Sequence, residues 1–304
     1  MDNNSILSHT DESLQRLPEA RELSKTYALW AAGISLVLQL ISYIAGAMTA
    51  NTGGLGGIGT RAVLQTVQSL CMYAGMILLP FLLYGHMTAG LYTARGQQAE
   101  KGVLLHGFRR FGPFVRLALL WTALFLLLAF AASNLAATVY MFLPGSTQVL
   151  MDMQTTVADP NALMDPAVAA ALVGRMWPMY AIFGVLLVAL LIPLFYRLRL
   201  VTLRILDGDN RVIAAMLTSW KSMRGRCKQL FFLDLRFWGY YALTVLASVV
   251  AYGDQLLGFT GDVAYWCAIL LSLGIQLLAT ILYLPRLHTA QAHFYLTYYQ
   301  ANDK

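Results

Sequence analysis

The chain has 304 residues, of which 58% are hydrophobic and 12% charged, with a mean hydropathy of +0.60, whereas soluble domains carry about 25% charged residues. That balance excludes an ordinary soluble domain and predicts an integral membrane protein. The net charge of +6 does not point to nucleic acid, because the basic residues lie between apolar runs with no nucleic-acid module around them. Three cysteines, Cys71, Cys227 and Cys267, are an odd number without CxxC or Cys/His spacing, so no disulfide framework and no zinc site is expected.

Residues 1–26 hold Asp2, Asp11, Glu12, Glu19 and Glu22 ahead of any apolar run, the wrong charge and order for a secretory signal. They are expected to form a cytoplasmic N-terminal segment with a short helix over Leu14 to Ser24. About 20 residues cover the ~30 Å hydrocarbon core, and Tyr27 to Met48 is long enough. Gly54, Gly56 and Gly59 then match GxGxxG, but a dinucleotide site needs a strand before it and a ribose-binding acid after it; between two apolar runs the match predicts a tight loop.

The second span is Ala62 to Tyr84, with Pro80 near its end, followed by a basic loop carrying Arg95, Lys101, Arg109 and Arg110. Leu117 to Leu143 is the third span. A loop over residues 144–176 has Asp152, Asp159 and Asp165 against the single cation Arg175, with a short helix expected over Asp165 to Gly174. Trp177 to Tyr196 is the fourth span, Leu230 to Tyr252 the fifth and Val263 to Leu284 the sixth, which Pro285 is expected to end.

Between spans four and five, Arg197 to Lys228 holds eight of the chain's 21 Lys and Arg. Val212, Ile213, Met216, Leu217, Trp220, Met223 and Cys227 recur at helical spacing on one face, with Arg211, Lys221 and Lys228 on the other. That pattern predicts an amphipathic helix flat on a membrane surface. Arg211, Lys221, Arg224, Arg226 and Lys228 are its candidate contacts to anionic lipid or to a protein partner.

Basic residues alternate along the loops: three before span one, then one, four, one, eight and none, with Arg286 and Lys304 at the end. The positive-inside rule puts the rich loops and both termini in the cytoplasm. Pro80, Pro193 and Pro285 fall at one depth, and an offset that superposes Pro80 on Pro193 superposes Gly112 on Gly225, a weak sign of repeated hairpins. The fold read from the sequence is all-α: a polytopic membrane helix bundle of six transmembrane helices in three hairpins with cytoplasmic interfacial helices. It divides into residues 1–26, a membrane domain 27–285 and a cytoplasmic juxtamembrane tail 286–304.

Ionisable residues inside a span mark function by default, and Asp234 and Arg236 are the candidates. Both lie close to the cytoplasmic end of the fifth span, so a structural ion pair of Asp234 with Arg197 or Arg199 is the preferred reading. His9, His86, His106, His288 and His293 show no HExxH pattern, so no catalytic residue, metal or cofactor is assigned. Gln65, Gln68, Asn134 and Gln276, with Gln39, form a buried polar set suited to helix packing or to a hydrophilic path.

Arg204-Ile-Leu-Asp-Gly-Asp-Asn210, Leu217-Thr-Ser-Trp-Lys-Ser-Met-Arg-Gly-Arg226 and Leu230-Phe-Phe-Leu-Asp-Leu-Arg-Phe-Trp-Gly239 resemble a bacterial membrane family, domain-of-unknown-function family 975. Ala290-Gln-Ala-His-Phe-Tyr295, Gly107-Phe-Arg-Arg-Phe-Gly112 and Ala20-Arg-Glu-Leu fit it too. Asp234-Leu-Arg236 departs from it, standing where uncharged residues are expected, and the acidic outer loop is long. The resemblance implies a six-pass bacterial inner-membrane protein and supplies no activity to carry over. The function expected is non-enzymatic, with a basic cytoplasmic face for anionic lipid or partner docking; the alternative is a transporter or channel-like permease.

Overall fold

The structure is a computed structural model that describes residues 2–51, 58–158, 166–252 and 261–298. Within them it is all helical, 89% helix with no strand. The expectations placed on Gly54, Gly56, Asp159, Asp165 and Lys304 lie outside the described residues.

The chain opens with α1 (Asn3–Arg16), where the Asp2 carboxylate caps the first turn by accepting from Ser5 N–H at 2.9 Å. This helix starts earlier than the sequence suggests; Pro18 stands before α2 (Glu19–Asn51) rather than inside a helix. Next come α3 (Ile58–Ala94), a 3-10 turn (Lys101–Leu105), α4 (His106–Arg109) and α5 (Phe111–Met141). They are followed by α6 (Ser146–Ala158), α7 (Pro166–Leu198), α8 (Leu200–Leu206), α9 (Val212–Ser222), α10 (Cys227–Leu235), α11 (Trp238–Ala251) and α12 (Asp262–Tyr298).

Five of these segments are long and apolar enough to cross a membrane: Glu19–Thr49, Thr60–Ala94, Phe111–Met141, Gly174–Leu206 and Asp262–Tyr298. A sixth is counted if α10 and α11, bent by 65°, are one broken span. The expected uninterrupted fifth span is therefore broken at Arg236–Phe237, which puts both charges at the bend instead of within a straight helix. Pro80, Pro193 and Pro285 all sit inside helices that continue past them. Pro285, expected to end the sixth span, lies inside α12, and residues 286–298 of the expected juxtamembrane tail form the last part of that helix.

The chain divides into two units, Met1–Phe114 with Arg199–Lys304, and Val115–Leu198. In the second, Arg175 pairs with Asp152 at 2.8 Å across α6 and α7, and the Tyr140 hydroxyl donates to the Arg175 carbonyl at 3.4 Å.

The first unit's core lies toward one end of its apolar segments rather than along their length. The most apolar stretch of α12 is only 28% buried, whereas Leu284, Leu287, Ala290, Ala292, Phe294 and Tyr295 beyond it are almost wholly buried. The same end of α3 contributes Phe81, Leu82, Met87, Ala89 and Leu91. α1 adds Ile6 and Leu14, and α8 is buried on nearly every side through Leu200, Val201, Leu203, Ile205 and Leu206. Close packing here needs glycine. A Cβ on Gly85 would fall on the Leu104 carbonyl, and one on Gly107 on the Phe81 carbonyl, so α3 and the turn before α5 touch backbone to backbone.

Candidate functional site

The last turns of α12 organise this core. His288, Gln291 and Tyr295 are spaced i, i+3, i+7 and share one face, and each reaches a different element. His288 Nδ1 lies 2.8 Å from His86 Nδ1 on α3. One of those nitrogens must carry a proton and the other must not. The other side of the His86 ring, Nε2, is 2.5 Å from Ser24 Oγ on α2, and the Tyr27 ring lies 5.1 Å from the same imidazole. Ser24, His86 and His288 are all at least 96% buried. Gly90 permits this approach, since a Cβ there would meet the His288 backbone at 3.0 Å.

One turn further on, Gln291 Nε2 donates to Asp234 Oδ1 at 3.0 Å, both residues being buried. One turn beyond that, the Tyr295 hydroxyl donates to Asp207 Oδ2 at 3.0 Å while Arg95 Nη2 donates to Asp207 Oδ1 at 2.5 Å. On its opposite face α12 holds α1: Arg286 makes two bonds to the Asp11 carboxylate at 2.9 and 2.7 Å, and His293 Nε2 is 3.1 Å from Ser13 Oγ.

Asp207-Gly-Asp-Asn210 forms a fixed turn rather than a loose loop. Gly208 has φ +121, a backbone region open in practice to glycine. Arg204 Nε donates to Asp209 Oδ2 at 2.6 Å, and Arg110 Nη1 to Asn210 Oδ1 at 2.8 Å. Burial pushes the Asp209 carboxyl up, but the Arg211 N–H and the Arg204 guanidinium outweigh it and hold it below the usual carboxylate range. Three cations read from the sequence as part of a charged surface, Arg95, Arg110 and Arg204, are thus engaged internally. His106 lies beside the same region; burial, then the neighbouring Arg110 and Arg109, hold its imidazole below its ordinary value, against an opposing pull from the Leu206 backbone.

The remaining basic residues are distributed differently from the single amphipathic helix expected. Arg211, Lys221, Arg224 and Lys228 are exposed. Arg226 is half-buried: it donates to the Tyr298 carbonyl at 3.2 Å and lies 4.8 Å over that ring, a structural tie to the end of α12. The expected apolar face of α9 splits in two. Val212, Ala215, Ser219 and Ser222 face the core, while Ile213, Leu217 and Trp220 form an outward stripe, 65%, 60% and 43% exposed.

Asp234 accepts from Gln291 as described, and Arg236 Nη2 donates to Asn4 Oδ1 at 2.6 Å. Arg199 lies within electrostatic reach of Tyr84, Tyr240 and His288. Arg197 closes the last turn of α7, where a cation suits the carbonyl end of the helix.

Gln65 is exposed; Gln68 Nε2 donates to the Ser42 carbonyl at 3.2 Å in space that glycine at position 46 leaves open; Asn134 Nδ2 donates to Phe130 of its own helix at 2.7 Å. Gln276 lines a cavity of about 90 Å³ with Tyr27, Ser35, Tyr240 and Thr280. Among the described residues no group of three or more His, Cys, Asp or Glu is placed to hold a metal ion.

Set beside family models, curated proteins and solved structures, the chain matches none.

Proposed function

We propose that the chain is a multi-pass protein of the bacterial inner membrane, non-enzymatic, whose cytoplasmic face docks on anionic lipid. The observation that carries this reading is the two-sided α9. A helix whose inner face is packed by Val212 and Ala215, and whose outer face presents Ile213, Leu217 and Trp220 beside Lys221 and Arg224, has the makeup of an interfacial helix. Exposed apolar residues of that size, rimmed by cations, suit the boundary between acyl chains and headgroups. The bacterial source and family 975 membership rest on the sequence resemblance.

Six crossings with both termini cytoplasmic are supported by the first unit. α1 is bound to the C-terminal part of α12 through Arg286–Asp11, and Ser24 at the start of α2 meets His86 near the end of α3. Those ends belong to one side. α10 meets α1 there, through Asn3 Nδ2 to the Gln229 carbonyl at 2.9 Å, and α11 packs along α12. For α12 to return to this side the chain must first leave it, and α11 is the segment between.

Substituting Arg211→Gln, Lys221→Gln and Arg224→Gln together, and separately Trp220→Ser, is expected to lower several-fold the anionic phospholipid retained through detergent purification. Unchanged retention in both variants overturns the reading. Arg226 is left in place because it holds Tyr298. A second reading, a solute permease, draws on the polar cavity at Gln276; solute flux in vesicles that is unaffected by Gln276→Leu overturns it.

A further inference from the structure

We infer that the groove between the start of α1 and one face of α10 is a binding site for the headgroup of a single acidic phospholipid. This rests on the lipid-docking reading above and narrows it from a charged surface to a built site. The groove, about 710 Å³, is lined by Asp2, Asn3 and Asn4 on one side and by Lys228, Gln229, Phe232, Leu235 and Arg236 on the other. Lys228, Phe232, Leu235 and Arg236 fall at i, i+4, i+7 and i+8, so one stripe of α10 forms a whole wall.

The chemistry along that wall fits an amphiphile. Lys228 and Arg236 stand about 12 Å apart along the axis, and both side chains are long enough to reach inward to a phosphate between them. Arg236 spends one bond on Asn4, at 2.6 Å, which fixes the guanidinium at the rim and leaves other donors of its fork for a ligand. The acid in the lining, Asp2, is committed to capping α1 through Ser5 N–H at 2.9 Å.

Between the two cations lie Phe232 and Leu235, 56% and 50% exposed, too apolar for a site built for a free phosphate. α10 also runs at 65° to α11, so with α11 crossing the bilayer it lies nearer to the membrane plane than to the normal. Trp238, 68% exposed at the junction, is a residue type enriched at headgroup level. Headgroup and acyl chain thus have separate places on one helix face.

The test uses the full chain purified in mild detergent and titrated with phosphatidylglycerol or phosphatidylcholine micelles, with bound lipid counted by native mass spectrometry. The wild-type chain is expected to retain one phosphatidylglycerol per chain in preference to phosphatidylcholine. Lys228→Gln with Arg236→Gln is expected to weaken it about tenfold or more, as the loss of charge-assisted bonds implies. Asn4→Ala controls for the seating of α1: it removes the Arg236–Asn4 bond but keeps the cation, and should retain the lipid. Equal displacement by inorganic phosphate would identify a soluble anion and overturn the lipid assignment.

Retention untouched by the Lys228 and Arg236 changes, but lowered by the Lys221 and Arg224 changes, overturns the groove and leaves the docking face standing. The reverse result keeps the groove and removes the face. Retention untouched by both sets overturns both.

Discussion

Ser24, His86 and His288 set the terms at the scale of single residues. Three polar side chains from three helices are buried together, and each nitrogen in the link has a partner within 2.8 Å. An unmade bond there is costly, since a buried acceptor or donor left alone forfeits about 1–3 kcal/mol. Ser24→Ala should therefore lower stability by about that amount, read as the thermal midpoint in detergent. Replacing His86 and His288 together by apolar residues of similar size should cost less than the two single changes added, because neither ring is then left without its mate.

His106 gives a separate handle, outside the long apolar segments. Its imidazole is held below the ordinary value by burial and the nearby guanidiniums, so the unfolded chain binds the proton first as pH falls through about 6.5. Stability from the neutral ring is present above that pH and is lost between there and the lower folded value. His106→Gln should flatten this part of the acid limb; a melting profile from pH 8 to about 5 that stays parallel to wild type would rule it out. The histidine link was not legible in the sequence. His86 and His288 are separated by 202 positions, and neither carries a local motif. The available signal was the company they keep: Gly85, Ala89 and Gly90 around one, Thr289, Ala290 and Ala292 around the other, small residues that let two helices close.

At the scale of elements, apolar run lengths carried most of the information. Five of the six predicted spans have a helix long and apolar enough to cross a membrane, and the fifth has one if α10 and α11 are counted as a single broken span, because twenty apolar residues in succession have few alternatives to a helix. What length does not reveal is where a helix stops or bends. Pro285 reads as a terminator, yet α12 runs on through it at the buried end of the first unit. The fifth span shows the opposite case: it reads as continuous, and it bends where Asp234 and Arg236 are each claimed by another element. Periodicity on α9 grouped Val212 with Ile213 and Leu217 on one apolar face and could not say that packing would divide them between the core and the outer surface, since both positions hold the same residue types. The glycine contacts make the element-level prediction. Gly85→Ala and Gly107→Ala each place a methyl on a backbone carbonyl and should cost about 1–3 kcal/mol or more, whereas Gly112→Ala, with open space around it, should be close to neutral. Equal melting temperatures for the three would contradict the backbone contact.

At the scale of the whole molecule, the location of the core and the proposed topology are one question. The first unit packs most tightly at one end, where α1, the ends of α3 and α12, and α8 meet, and its apolar segments run outward from there with little burial. That suits a chain whose spans face lipid and whose specific contacts gather in a cap. The cap has the cations, so the proposed cytoplasmic placement satisfies packing and the charge rule together. The weak point is α11. Its 14 residues reach about 21 Å at 1.5 Å per residue, short of the ~30 Å hydrocarbon thickness, so crossing requires help from α10 or local thinning of the bilayer. A side test decides it. In a background with Cys71, Cys227 and Cys267 replaced by serine, Lys228→Cys and Asp262→Cys flank the segment, while Ser8→Cys and Thr147→Cys report the N-terminal helix and the start of α6. A membrane-impermeant maleimide should label positions 8 and 228 only in inverted vesicles and positions 147 and 262 only in right-side-out ones. Labelling of 228 and 262 from the same side would mean that α10 and α11 turn back without crossing. α12 would then end opposite α1, which the Arg286–Asp11 bonds do not permit in the same molecule.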